Sequence, residues 1–140
     1  MVKVGVSACL VGKNTKYNRG NNYNNKVMDY LKDKEVFLIC PEIAGGLSIP
    51  RLSSEIVNDT VMNTNGEDVT SYFVAGANKM MAYLKENGVS IVILKENSPS
   101  CGYRHIYDGT FSGKLINGSG IFARLAIKEG FKIISEKDFE

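Results

Sequence analysis

Apolar positions fall along this chain in short runs separated by polar loops, and the period of the runs alternates. Residues 2–8 open with Val2-Lys3-Val4-Gly5-Val6, a strand pattern in which Gly5 marks close approach of another element. Cys9 to Asn25 is a polar stretch rich in Asn and Gly, and loops of that length in compact proteins are usually functional. Asn24-Asn25 can cap a helix over 26–34 with Val27, Tyr30 and Leu31 on one face. A second strand spans 35–39, after which Gly45-Gly46 and Pro50 exclude regular structure over 43–56. Weak alternation over 55–62, with a turn signal at Asn65-Gly66, predicts a small hairpin. The clearest helix opens at Asp68 or Thr70, repeats Phe73, Ala77, Met80, Met81 and Leu84 at helical spacing, and stops at Asn87-Gly88. Ser90 to Leu94 is a short β-branched run, the mark of a strand buried on both faces. A loop then runs to Gly113. A last helix from Asn117 or Ser119 through Lys128 turns Ile121, Leu125 and Ala126 inward, and a strand over 131–134 follows. Strands alternating with helices predict an α/β fold: one domain over 1–140, a three-layer sandwich with a mainly parallel, Rossmann-like sheet.

Composition narrows the function classes. A 140-residue chain with 44% hydrophobic residues can bury a sizeable core. The net charge of +2 comes from singly scattered lysines, so no nucleic-acid partner is expected. No apolar run reaches membrane length and the first residues lack a signal-peptide pattern, so the expected location is a reducing cytoplasm with no membrane association. There, an odd set of three cysteines reads as thiols or metal ligands and not as a disulfide framework. Oligomeric state is not written in the sequence.

Each cysteine sits just past an apolar strand-like run: Cys9 after the first, Cys40 after the second, and Cys101 in the loop that follows Leu94. In an open parallel sheet that edge is where ligands bind. The spacings, 31 residues from Cys9 to Cys40 and 61 from Cys40 to Cys101, match neither a zinc ribbon nor a ferredoxin run, so only the fold can unite them. Two readings stand: three separately buried thiols, or three converging ligands. Convergence would suit either a Cys₃ zinc site with an open fourth position, which would make a hydrolase, or a [4Fe–4S] cluster with one iron lacking a protein ligand. Glu42 lies two residues after Cys40, where a carboxylate can act as general base on water; Ser98 and Ser100 precede Cys101, where a hydroxyl can bind substrate or relay a proton. The plain alternatives are a surface charge and a side-chain-stabilised turn. His105 stands alone. Cys9 to Thr15 lacks the Arg of a cysteine-phosphatase loop. Gly118-Ser119-Gly120 lacks the preceding strand of a dinucleotide fingerprint, so Gly120 reads instead as a close-packing glycine.

Taken together the motifs become recognisable: Ser7-Ala8-Cys9-Leu10-Val11-Gly12, Lys16-Tyr17-Asn18, Cys40-Pro41-Glu42, Gly45-Gly46-Leu47, Pro50-Arg51, Ser98-Pro99-Ser100-Cys101-Gly102 and Tyr107-Asp108-Gly109-Thr110-Phe111. From Ser7 to about Glu136 the chain resembles the thiouracil desulfidase family, with Asn18 where many members carry Asp and Lys16 where some carry Arg. The resemblance implies a [4Fe–4S] cluster on Cys9, Cys40 and Cys101, its open iron binding the sulfur of a thiolated pyrimidine. It implies that Glu42 activates water or shuttles protons, that Ser98 or Ser100 positions the ring, and that water replaces sulfur without net redox chemistry. A Cys₃ zinc hydrolase and a non-catalytic sulfide- or metabolite-binding module are the competing readings.

Overall fold

The computed structural model describes residues 1–139. The first expected strand is β1 (Lys3–Ser7), and it runs directly into a 3-10 turn, Ala8–Val11, that carries Cys9. Asn24 caps α1 (Asn25–Leu31), its side-chain oxygen accepting the Val27 N–H at 3.1 Å. After β2 (Glu35–Ile39), Pro41 starts one helical turn, α2 (Pro41–Ala44). A hairpin of β3 (Ser54–Val57) and β4 (Thr60–Asn63) leads to α3 (Thr70–Glu86), and β5 (Ile91–Leu94) follows. β6 (His105–Tyr107) and β7 (Leu115–Asn117) pair as a second hairpin, before α4 (Ile121–Lys128) and β8 (Lys132–Ser135).

The central sheet has the order β2-β1-β5-β8, with every pair parallel. On one face Val27 and Leu31 of α1 pack on Val4, Val6 and Ile93. On the other, Ala77, Met81 and Leu84 of α3 and Phe122 and Ala126 of α4 pack on Ile39, Val92 and Leu94. This is the three-layer α/β arrangement the alternation predicts. Val92, Ile93 and Leu94 are each 0% exposed, as the continuous apolar run of β5 requires. The expected close approach at Gly5 is also present, since a Cβ there would lie 2.9 Å from Leu84 Cδ2.

Several boundaries differ from the sequence expectation. The β3–β4 hairpin turns at Asn58-Asp59, both with positive φ (49° and 65°), and not at Asn65-Gly66. Asn65-Gly66 makes the next turn, returning the chain so that Asp68 bridges to Met62. Regular structure does occur at the start of the second loop, as α2, and in the stretch expected to be a loop up to Gly113, as β6. Helix α4 begins after Gly120: Asn117 is committed to β7, and Ser119 donates its hydroxyl to the Tyr103 carbonyl at 2.7 Å. The inward residues of α4 are led by Phe122, Ala123 and Ala126, with Ile121 and Leu125 only partly buried.

One crossing matters most for the site. A Cβ on Gly76 of α3 would lie 1.7 Å from the Pro41 carbonyl oxygen, and one on Gly45 would lie 1.9 Å from the Tyr72 carbonyl oxygen. Backbone therefore meets backbone where α2 crosses α3, which fixes Cys40, Pro41 and Glu42 against the longest helix.

Candidate functional site

In the order β2-β1-β5, the strands that deliver Cys40, Cys9 and Cys101 are neighbours. The three thiols line one cavity of about 490 Å³ at the C-terminal edge of the sheet, and none is in a disulfide. Of the two readings left open by spacing, the shared cavity speaks against three separately buried thiols.

Each thiol is placed by a different local device. Cys9 rides the 3-10 turn, where Asn22 donates its backbone N–H to the Cys9 carbonyl at 2.9 Å and its amide to Sγ at 3.4 Å. Cys40 is the N-cap of α2, with extended backbone, and its carbonyl accepts the Ala44 N–H at 3.0 Å. Cys101 sits in a turn built on Ser98, whose Oγ accepts the N–H groups of Ser100 (3.1 Å) and Cys101 (3.0 Å). The start of α4 grips the same turn: Gly120, Ile121 and Phe122 donate to the carbonyls of Gly102 (2.7 Å), Pro99 (2.9 Å) and Ser100 (2.9 Å). The first N–H groups of a helix need such partners, and Gly120 lets them come close, since a Cβ there would be 2.6 Å from the Ser100 oxygen. Gly120 is the close-packing glycine its sequence context suggests.

Behind this turn lies Glu96, only 3% exposed. Its Oε1 accepts three successive backbone N–H groups, from Tyr103 (2.8 Å), Arg104 (2.7 Å) and His105 (3.0 Å), and its Oε2 accepts the Ser135 hydroxyl at 2.9 Å. Burial pushes this carboxyl up, but the four donors outweigh it and hold it below the usual glutamate value. The His105 side chain itself is exposed and away from the cavity lining.

Burial also raises all three thiols above the ordinary cysteine value, Cys101 most. The Asn22 amide and the charge of Lys95 oppose the shift at Cys9; the Ile43 N–H opposes it at Cys40, where the Glu42 charge adds to it; and the Ser7 hydroxyl opposes it at Cys101. The same sulfurs raise one another, which reflects their proximity.

Glu42 reaches the cavity from α2 with both oxygens engaged. Oε1 accepts Arg51 Nε at 3.1 Å and Oε2 accepts the Ser100 hydroxyl at 2.9 Å. Ser98 Oγ lies 2.9 Å from Ser100 Oγ; because the Ser100 proton points to the carboxylate, Ser98 donates to Ser100. Arg51, Glu42, Ser100 and Ser98 thus form one chain of hydrogen bonds beside Cys101. The expected residues Glu42, Ser98 and Ser100 all lie on the cavity wall with the cysteines. Sequence reasoning gave no role to Arg51, Asn22, Thr15 or Glu96. For Arg51 a signal existed, a cation in the irregular stretch that follows Glu42; for the others, only the fold reveals the partner.

The donor set is three soft thiolates with no hard ligand among them, which suits iron–sulfur or zinc and disfavours magnesium or calcium. Among the described residues no three His, Cys, Asp or Glu side chains group closely enough to clasp one metal ion. A single tetrahedral zinc needs its sulfurs about 3.8 Å apart. A polynuclear cluster spreads its thiolates over separate corners and does not need them in mutual contact.

A parallel sheet whose C-terminal edge gathers three thiols beside a hydrogen-bonded carboxylate and two hydroxyls defines an α/β protein with a polar, thiol-lined cavity at that edge. The chain belongs to the 2-thiouracil desulfurase family, whose model matches residues 4–138. It is 43% identical over 143 residues to the uncharacterized protein YbbK of Bacillus subtilis (strain 168), covering 95% of each chain. Its fold superposes on the solved structure of the [4Fe-4S]-dependent thiouracil desulfidase TudS with a TM-score of 0.92 at 34% identity, over 99% of this chain and 93% of that one.

Proposed function

We propose that this protein is a [4Fe–4S]-dependent desulfidase that exchanges the sulfur of a thiolated pyrimidine for oxygen from water. The observation that carries the reading is the gathering of Cys9, Cys40 and Cys101 on one cavity with the Glu42–Ser100 pair on its wall. Family membership and the TudS structure support both the cofactor and the substrate class.

In this reading Cys9, Cys40 and Cys101 hold the cluster, which supplies a soft Lewis-acidic iron for a thiocarbonyl sulfur. The chain's own groups handle the water. Glu42, with Oε2 facing Ser100, takes a proton from a water entering beside it, and the oxygen attacks the ring carbon that bears sulfur. The carbon–oxygen bond forms and the carbon–sulfur bond breaks; both water protons, one of them relayed through Glu42, leave with the sulfur as hydrogen sulfide, so the ring keeps its protons and Glu42 is regenerated. No electron is gained or lost overall. Ser100 holds the carboxylate in its productive plane and presents its hydroxyl oxygen to the ring; Ser98 keeps Ser100 oriented and builds the turn that carries Cys101.

Anaerobically reconstituted protein incubated with 2-thiouracil and 4-thiouracil tests the reaction class. The expected result is uracil and sulfide in equal amounts with no added reductant. A cluster-loaded sample that leaves both compounds intact, or that turns them over only with an electron donor, overturns it.

A further inference from the structure

We infer that Arg51 is a positioning residue for this reaction: one guanidinium sets the Glu42 carboxylate and latches the 13–24 loop onto the cavity. The inference rests on the proposed role of Glu42, and the test below separates the two.

Arg51 is nearly enclosed, with 8% of its side chain exposed against 17% for Glu42. Its three nitrogens go three ways. Nε donates to Glu42 Oε1 at 3.1 Å, Nη1 to the Ser48 carbonyl at 3.2 Å, and Nη2 to the Thr15 carbonyl at 2.9 Å. Its backbone N–H adds a fourth bond, to the Tyr17 carbonyl at 2.9 Å. With Arg51 on Oε1 and Ser100 on Oε2, the plane of the Glu42 carboxylate is fixed at both oxygens.

The loop side of the arrangement is equally specific. The ends of the 13–24 segment are tied to the 3-10 turn, through Lys13 N–H to the Ala8 carbonyl, Asn22 N–H to the Cys9 carbonyl and Asn24 N–H to the Leu10 carbonyl. Between them, over 14–21, the other hydrogen bonds stay within the loop: Thr15 to Lys13, Lys16 to Gly20, Arg19 to Lys16, Asn21 to Asn14, Gly20 to Asn18 and Tyr23 to Asn21. Among the described residues, 14–21 reaches the protein beyond the 13–24 loop by hydrogen bonds only at Arg51. Yet Thr15, Lys16 and Tyr17 line the cavity. The residue that orients the base therefore also seats the wall that encloses the substrate. The rigid planar fork of arginine meets all three acceptors at once, which the single ammonium of lysine cannot do.

The test compares R51Q, R51K, E42Q and the R51Q/E42Q double variant in reconstituted protein, by cluster absorbance, steady-state kinetics with a thiouracil and hydrogen exchange. R51Q is expected to keep the parental cluster spectrum. Its kcat should fall by on the order of a hundredfold, the scale of a misplaced catalytic group, with KM raised. Exchange across 13–24 should quicken by about tenfold, the value of a lost charge-assisted bond. R51K should fall between parent and R51Q in exchange. E42Q should lose turnover with parental exchange, and the double variant should turn over no more slowly than E42Q, because Arg51 acts through Glu42. Parental exchange in R51Q and R51K, or kcat losses that simply multiply in the double variant, overturn the inference. A slow E42Q with a fast R51Q overturns it alone, whereas an E42Q at parental turnover overturns the role of Glu42 itself.

Discussion

At the scale of single residues, the site shows which roles chemistry announces and which it hides. Cysteines at strand ends, a carboxylate two residues from one of them and two serines beside another are legible because their types and positions already suggest ligands and acid–base groups. Glu96 is not legible: its partners at 103–105 and Ser135 lie 7 to 39 residues away and are mostly backbone N–H groups. E96A leaves three partly buried N–H donors and the buried Ser135 hydroxyl without their acceptor, and is expected to cost about 3 kcal/mol in denaturant unfolding. The pH dependence follows in sign. A carboxyl held below its ordinary value stabilises the fold above the usual glutamate range, about pH 4.3, and that stability is lost as pH falls through the folded value. Acid unfolding of the parent should therefore steepen below about pH 4.5, and E96Q should flatten that limb. The thiols act in the other direction. Burial keeps them protonated at neutral pH, and ligation must expel those protons. Iron retained against a competing chelator should therefore increase from pH 7 to about pH 9; retention independent of pH would contradict this. The family difference at position 18 also has a local explanation, since Asn18 Oδ1 accepts the Gly20 N–H at 3.0 Å, a bond an aspartate can make equally well.

At the scale of elements, periodicity located the four sheet strands and three of the four helices. It failed where tertiary contacts replace local signals. The Asn58-Asp59 turn uses positive φ at two non-glycine residues, so a search for Asn-Gly looks seven residues too far along. β7 is three exposed residues with no alternation to read. Helix α4 has no side-chain cap, because its first N–H groups bind the carbonyls of the Cys101 turn. In α3 the apolar stripe hides the position that matters most to the site, Gly76. G76A would put a methyl group into the Pro41 carbonyl and must separate α2 from α3. The expected outcome is a loss of about 3 kcal/mol, the upper range for overpacking, with less iron bound per folded chain because Cys40 moves with α2. Exposed Tyr72 to Ala, on the same helix, should change neither.

At the scale of the whole molecule, the sequence expectation succeeds because parallel sheets concentrate chemistry at one edge. Three cysteines far apart in the chain need only follow three strands that become neighbours, and β2-β1-β5 makes them so. Strand order itself was not legible, and convergence remained one of two readings until the fold was known. Among the described residues no helix is long and apolar enough to cross a membrane. The central claim is that Cys9, Cys40 and Cys101 together hold one four-iron cluster, and metal stoichiometry tests it most directly. Iron and acid-labile sulfide are measured after anaerobic reconstitution, in the parent and in C9S, C40S and C101S. The account predicts about four of each per parent chain, falling sharply in all three variants. One zinc per chain, or full iron content in any of the three variants, would contradict it.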